Sequence, residues 1–170
     1  MIPSPLDQML ATRLENRNQV VSVDEPTVKV VIFELGGALF AVYGANIREI
    51  LANARIFFVP GCPASMEGVI NVRGDIETVI RLQSLLQLPD AQSERPPVVL
   101  LARGCGVNSG IRVDRVLDVL DVTRGTILPA PPTLPVHWNG LALGVMHAEE
   151  RLVTLLDLEA VLNDYVRGLG

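Results

Sequence analysis

The stretch Val28-Lys29-Val30-Val31-Ile32-Phe33-Glu34-Leu35-Gly36-Gly37-Ala38-Leu39-Phe40-Ala41-Val42 decides the fold class. Six of its first eight residues are apolar and four of those are β-branched, which favours a pleated, half-buried backbone over a helix. Gly36-Gly37 is a turn signal, because both central positions of a tight hairpin turn require a left-handed backbone. Ala38 to Val42 resumes the strand, so the segment reads as a β-hairpin.

Outward from this hairpin the same style recurs. Apolar positions 47, 50 and 51 predict a short helical turn over residues 45–51. Arg55-Ile56-Phe57-Phe58-Val59 predicts a strand stopped by Pro60-Gly61-Cys62-Pro63. Gly68 to Arg73 and Ile76 to Ile80 predict two strands joined at Gly74-Asp75. Residues 82–88 form a short helical piece ending at Pro89, and 90–97 a polar loop. Val98 to Ala102 is a buried strand, Gly104 to Gly110 is turn-rich, and 111–122 is one long β stretch. A proline-rich loop over 129–135 limits regular pairing. Two late strands, 141–146 and 151–156, precede a C-terminal helix with apolar positions 158, 161, 162 and 166, ending at Gly168. About ten short strands with Gly and Pro turns, and few helices for crossovers, indicate small barrels. The expected fold is all-β with short helices: two β-barrel-like subdomains sharing a hydrophobic core. Residues 28–166 form that domain. Residues 1–27 form an extension in which Leu6, Met9, Leu10 and Leu14 share one helical face.

Bulk composition limits the function. The 170 residues suit one domain, and 49% apolar with 19% charged residues is enough to fill a core. Fourteen basic against nineteen acidic residues leave a formal charge of −5, and aromatics make up 4%. Phosphate-backbone binding draws on excess cations, and single-strand binding on exposed rings, so nucleic acid is not the expected partner. Lys29 is the one lysine, so arginine carries the positive charge and favours planar contacts with carboxylates. The N-terminus lacks a basic run ahead of a long apolar one, which argues against secretion and membrane insertion and for a cytoplasmic protein.

Catalytic chemistry is poorly represented. Cys62 and Cys105 form no CxxC pair and are expected to be free, partly buried thiols. His137 and His147 lie in no metal-binding pair, and His147 with Glu149 and Glu150 reads as a solvated turn. Gly104-Cys105-Gly106-Val107-Asn108-Ser109-Gly110 resembles a phosphate loop but precedes strand-like residues, where an anion site needs a helix N-terminus. Asp114, Asp118 and Asp121 lack calcium-loop spacing and read as surface charges. No cofactor is expected. A thiol enzyme using Cys105 and a self-assembling β-domain are the alternatives from other classes.

An ordered series of short motifs remains. Ile47-Arg48-Glu49-Ile50-Leu51 is followed by Val59-Pro60, then Gly68-Val69-Ile70-Asn71-Val72-Arg73-Gly74, Val79-Ile80, Gly110-Ile111-Arg112-Val113-Asp114 and Leu155-Leu156-Asp157-Leu158. The series resembles the CheW family of chemotaxis coupling proteins over roughly residues 28 to 165. The resemblance implies two SH3-like five-stranded barrels around a shared core. It implies a non-enzymatic adaptor that binds the regulatory domain of a CheA-type histidine kinase and the cytoplasmic tip of a chemoreceptor, at membrane-associated receptor arrays. The same domain also serves pilus-motility and related pathways. The positions it marks are Glu49 and Arg73, which can pair, the Asn71 and Gly74 of the same turn motif, Ile47 and Gly68 near partner surfaces, and Ile111 and Val113, which line a groove between barrels or pack in the core. One departure stands out: Val79-Ile80-Arg81-Leu82 carries Arg81 where many relatives have Asp.

Overall fold

A computed structural model describes residues 25–89 and 94–169; the helical face of Leu6 to Leu14 lies outside them. Ten strands run β1 (Thr27–Leu35), β2 (Ala38–Tyr43), β3 (Ile47–Leu51), β4 (Met66–Val72), β5 (Asp75–Ile80), β6 (Val98–Gly104), β7 (Val107–Val113), β8 (Arg115–Thr123), β9 (Ala142–Ala148) and β10 (Arg151–Leu156). Among the described residues two α-helices, α1 (Leu82–Leu85) and α2 (Leu158–Leu169), follow β5 and β10. The strands form two five-stranded sheets, ordered β8-β1-β2-β10-β9 and β3-β6-β7-β5-β4. These are the two SH3-like barrels. The first is built from both ends of the chain, and the second is its uninterrupted middle.

The apolar run of β1 has a simple cause: both of its faces are buried. Val31, Phe33 and Leu35 point to a core layer between the barrels, where Leu100, Ala102, Ile111 and Val113 of the second barrel meet them. The alternate residues Val30 and Ile32 fill the interior of the first barrel with Leu39, Ala41, Met146, Val153 and Leu155. In β6, Leu100 and Ala102 face the shared layer while Val99 and Leu101 join Ile70 and Val79 inside the second barrel. A strand covered on both sides has no reason to alternate with polar residues.

The Gly36-Gly37 turn stands where the sequence puts it, while the β4–β5 turn falls at Arg73-Gly74, one residue before the expected Gly74-Asp75. Gly36 and Gly37 sit at φ 59° and 81°, Arg73 and Gly74 at 52° and 93°, and Cys105 and Gly106 at 49° and 71°. These are the left-handed pairs that match strand twist in two-residue hairpins. The β9–β10 turn is unusual in placing Glu149 and Glu150 at φ 48° and 65°, with no glycine to relieve the side-chain crowding.

Several expected elements differ. Residues 45–51 do not form a helical turn: a 3-10 turn covers Gly44–Asn46, and β3 pairs with β6 from Ile47↔Ala102 to Leu51↔Val99. Three apolar positions in seven residues fit either period, and cross-strand bonding decides. Residues 55–59 contribute a single bridge, Phe57↔Val69. The stretch 111–122 is two strands that belong to different barrels. It breaks at Asp114, whose N–H donates to the Glu34 carbonyl (3.0 Å) and whose Oδ2 accepts from the Gly36 N–H (2.9 Å). This residue pins the crossing chain onto the β1–β2 hairpin, a structural role beyond that of a surface charge. Only Cys105-Gly106 of the glycine-rich stretch turns, and Val107 already lies in β7. Helix α2 starts at Leu158 beneath Asp157, whose Oδ1 accepts from the Ala160 N–H (3.3 Å), and it continues through Gly168.

The two barrels are circular permutants of one arrangement. Laying β6-β7-β3-β4-β5 on β1-β2-β8-β9-β10 aligns the registers throughout. Gly68↔Val79 and Val72↔Asp75 match Gly144↔Leu155 and Ala148↔Arg151. The β3–β6 irregularity at Ile47/Glu49 matches that of β8 with β1 between Val116 and Asp118. The closing bridges also match: Phe57 and Val69 exchange backbone bonds of 2.8 and 2.9 Å, as do Leu128 and Val145.

Replacing Glu150 by Gly relieves one left-handed non-glycine residue. Equilibrium urea unfolding is expected to show about 1 kcal/mol of added stability with an unchanged slope.

Candidate functional site

The β3 strand and the β4–β5 turn bring the marked polar residues together. The Asn71 Oδ1 accepts from the Gly74 N–H at 2.8 Å, closing the turn with a side chain. Arg73 is thereby held in its left-handed conformation at the tip, and its Nη2 reaches Glu49 Oε1 at 2.8 Å. Arg73 is 76% exposed and Glu49 33%. One nitrogen contacts one oxygen, so the pair is a single charge-assisted bond and not the two-pronged clamp available to arginine. A second pair lies next door: Arg48 Nη2 is 2.9 and 2.8 Å from the two oxygens of Glu77, one nitrogen shared between both. The sequence reading missed this second pair, because Arg48 on β3 and Glu77 on β5 meet only once the barrel closes.

Apolar side chains flank these charges. Ile76 is directly opposite Asn71, and Phe57 opposite Val69, and cross-strand partners share a face. Ile50, Phe57, Phe58 and Ile76 remain exposed. The Arg55 guanidinium lies 5.1 Å from the centre of the Phe57 ring, a cation–π contact. Outward-facing apolar side chains beside a polar rim are the ordinary makings of a protein-docking surface. The alternation Asp75-Ile76-Glu77 was the available sequence signal for Ile76.

The other marked positions divide. Ile47 is half-buried and packs against the shared core layer. Ile111 and Val113 are buried in that layer, so they support the surface from beneath and offer a partner no area. Gly68 is buried too, and a Cβ there would run into the Phe57 carbonyl oxygen; Gly144 stands in the same relation to the Leu128 carbonyl oxygen. Gly68 is thus a requirement of barrel closure, where the bridging chain crosses β4. Arg81 makes a salt link within the second barrel: its Nε lies 3.7 Å from Glu67 Oε2, while Arg112 Nη1 holds Glu67 Oε1 at 2.8 Å. The position corresponding to Arg81 in the first barrel is Asp157, which caps α2.

The thiols offer little chemistry. Both are free; Cys62 is half-buried, but Cys105 is exposed, contrary to the expectation of partial burial. The Cys105 N–H donates to Glu159 Oε2 at 2.6 Å, and its thiol to the Glu159 carbonyl at 3.3 Å. Hydrogen bonding to Glu159 is the largest influence holding the thiol above its ordinary pKa, followed by desolvation and the charges of Glu159 and Asp157. Glu159 is held low by the same hydrogen bonds from Cys105. A raised thiol pKa means less thiolate at neutral pH, the reverse of an activated nucleophile. His137 lies on a 3-10 turn, where its Nε2 sits 2.9 Å from the Leu86 carbonyl, and Trp138 Nε1 donates to the same oxygen at 2.9 Å. His147, Glu149 and Glu150 are exposed at the end of β9 and its turn. Among the described residues no three His, Cys, Asp or Glu side chains are placed to hold a metal ion, and no helix is long and apolar enough to cross a membrane.

Comparison with known proteins gives one family. Residues 29–166 match the CheW-like domain. The probable chemotaxis protein CheW of Rhizobium etli is 30% identical over 145 residues, covering 85% of this chain and 94% of that protein. The chemotaxis protein CheW of Bacillus subtilis is 27% identical over 135 residues, 79% of this chain and 86% of that protein. Protein PilI of Pseudomonas aeruginosa is 26% identical over 118 residues, 69% of this chain and 66% of that protein. Among solved structures, the scaffolding protein TtCheW of Thermoanaerobacter tengcongensis superposes with a TM-score of 0.68 at 23% identity, covering 78% of this chain and 90% of that one.

Three outcomes follow for the site. Gly68→Ala is expected to lower stability by about 1–3 kcal/mol in urea unfolding, as overpacking against a fixed backbone does. Arg73→Ala, which removes an exposed pair, is expected to cost no more than about 1 kcal/mol. Alkylation of Cys105 is expected to be slower at pH 8 than that of an unstructured cysteine peptide, its rate rising only at higher pH. Glu159→Gln removes the charge and is expected to speed it.

Proposed function

We propose that this chain, which belongs to the CheW-like domain family, is a non-catalytic adaptor that couples chemoreceptors to a CheA-type histidine kinase in chemotaxis signalling. The observation that carries the reading is the rim of the second barrel. There the solvent-facing Glu49–Arg73 pair and the exposed Phe57 and Ile76 are carried by one barrel.

A flat apolar face bordered by directional charges suits stable docking with a defined orientation. Ile76 and Phe57 supply area to desolvate. Arg73, with most of its donors unspent on Glu49, supplies orientation toward a carboxylate or carbonyl of the partner. Asn71 and Gly74 hold the tip in place, and Ile47, Ile111 and Val113 set its height above the core. The proposed partners are the regulatory domain of the kinase and the cytoplasmic tip of the receptor. Coupling arises when both are held on one scaffold, so that a change in one alters the free energy of the other's states. The work is done in the cytoplasm, at receptor arrays. No bond-making step is assigned to the chain.

A second reading has a specific basis. The similarity to protein PilI supports the same adaptor role in a pilus-motility pathway, and the Arg81–Glu67–Arg112 cluster is a local feature that bears on partner choice in that reading.

Isothermal titration of the purified chain with the regulatory domain of a CheA-type kinase from the same organism tests the reading. Binding is expected, and Arg73→Ala is expected to weaken it by about fivefold or more, roughly 1 kcal/mol, with an unchanged circular dichroism spectrum. Absence of binding to every such kinase in the source organism would sink the adaptor assignment.

A further inference from the structure

The two barrels share one strand arrangement but not one rim. In the second barrel, Glu49–Arg73 and Arg48–Glu77 tie β3 to the β4–β5 hairpin across the open edge of the sheet. The matched registers place Asp118 and Glu149 of the first barrel where the second has Glu49 and Arg73. They place Leu117 and Val153 where it has Arg48 and Glu77. Two carboxylates repel, and a Leu–Val pair forms no ionic tie. The first barrel accordingly stands open between β8 and β9 as a groove of about 820 Å³.

The groove has a floor of one kind and a rim of another. Ile32, Leu39, Leu120, Val122 and Met146 line its bottom, and Leu117 is exposed at its edge. Asp118, Asp121 and Glu149 stand on the rim. Of the two arginines there, Arg115 is engaged by Glu34 at 2.8 Å. An acidic rim over an apolar floor suits a segment that presents leucines and arginines together.

We propose that the groove is the docking site of residues 1–24 of the same chain, which cap the first barrel where ion pairs close the second. The connection is direct. The Arg124 N–H donates to the Pro26 carbonyl at 3.3 Å, and Thr27 pairs with Thr123. Thr123 and Thr126 line the groove, so the chain upstream of Glu25 emerges at its end. That upstream sequence carries Leu6, Met9, Leu10 and Leu14 at one helical spacing, with Arg13 and Arg17 interleaved and Asp7 and Glu15 among them. The reach is sufficient. From Thr123 to Arg115 along β8 is about 26 Å at ~3.3 Å per residue. Residues 15–24, extended, span about 33 Å. A partner that uses the rim of the first barrel therefore competes with the chain's own N-terminus, and one that uses the second barrel does not.

Two-dimensional amide NMR and hydrogen exchange on the full chain test this. In Leu10→Glu/Leu14→Glu, residues 117–123 and 146–151 are expected to shift and lose exchange protection, at every protein concentration, while residues 68–77 hold their positions. Arg13→Glu/Arg17→Glu is expected to do the same, and adding Asp118→Arg/Glu149→Arg to restore the protection. Groove amides unmoved by either N-terminal pair of changes overturn the proposal. Shifts that depend on concentration also overturn it, by giving the groove to the N-terminus of a neighbouring copy.

Discussion

The layer of side chains between the two barrels is the constraint on which the rest of the structure depends. Val31, Phe33 and Leu35 of the first barrel and Leu100, Ala102, Ile111 and Val113 of the second are buried in it together, and Leu158, Val161 and Leu162 of α2 belong to the same layer. Neither barrel can shed this layer without exposing the inner strands β1 and β6, so the barrels are two lobes of one cooperative unit. Trp138 and the proline-rich loop close it on one side, with the Trp138 ring edge-on to Phe40 at 5.3 Å. Burial on that scale holds the rims rigidly with respect to one another. A scaffold that must transmit orientation between partners needs that rigidity.

The circular-permutant relation of the barrels separates what the fold demands from what each surface adds. Gly68 and Gly144 are demanded: each lies where the crossing chain's carbonyl leaves no room for a side chain. So are the bulges in β3 and β8 and the bridges Phe57↔Val69 and Leu128↔Val145. The charged positions are not shared. Glu49–Arg73 and Arg48–Glu77 belong to the second barrel alone, and Arg81 sits where its counterpart Asp157 caps a helix. Exposed ion pairs contribute little to stability, so the difference between rims bears on recognition more than on folding.

Much of the site was legible from one strand and one turn. The Asn71-Val72-Arg73-Gly74 motif of the resemblance is a turn in the structure, which adds that its tip is left-handed and closed by the Asn71 side chain. Glu49–Arg73 is present as the family resemblance implied. What the motifs did not convey is depth. Ile111 and Val113 belong to the same ordered series as Arg73, yet they are core. Gly68 belongs to it for steric reasons. The Arg48–Glu77 pair joins residues twenty-nine positions apart on non-adjacent strands, and no local pattern signals it.

By itself the sequence determined most of the strands, the Gly36-Gly37 hairpin turn, the poverty of catalytic groups and the family. Each of these rests on interactions within a few residues or on composition. The allocation of strands was decided by tertiary structure alone. Residues 111–122 look like one strand because each half is apolar enough to pair. Only the Asp114 bonds to Glu34 and Gly36 show that the halves serve different barrels. The same holds for residues 45–51, where a period of two and a period near four are indistinguishable until β6 offers its hydrogen bonds. Local periodicity reports which faces are buried. It does not report against what, and here that choice separates the two barrels and leaves one rim latched and the other open.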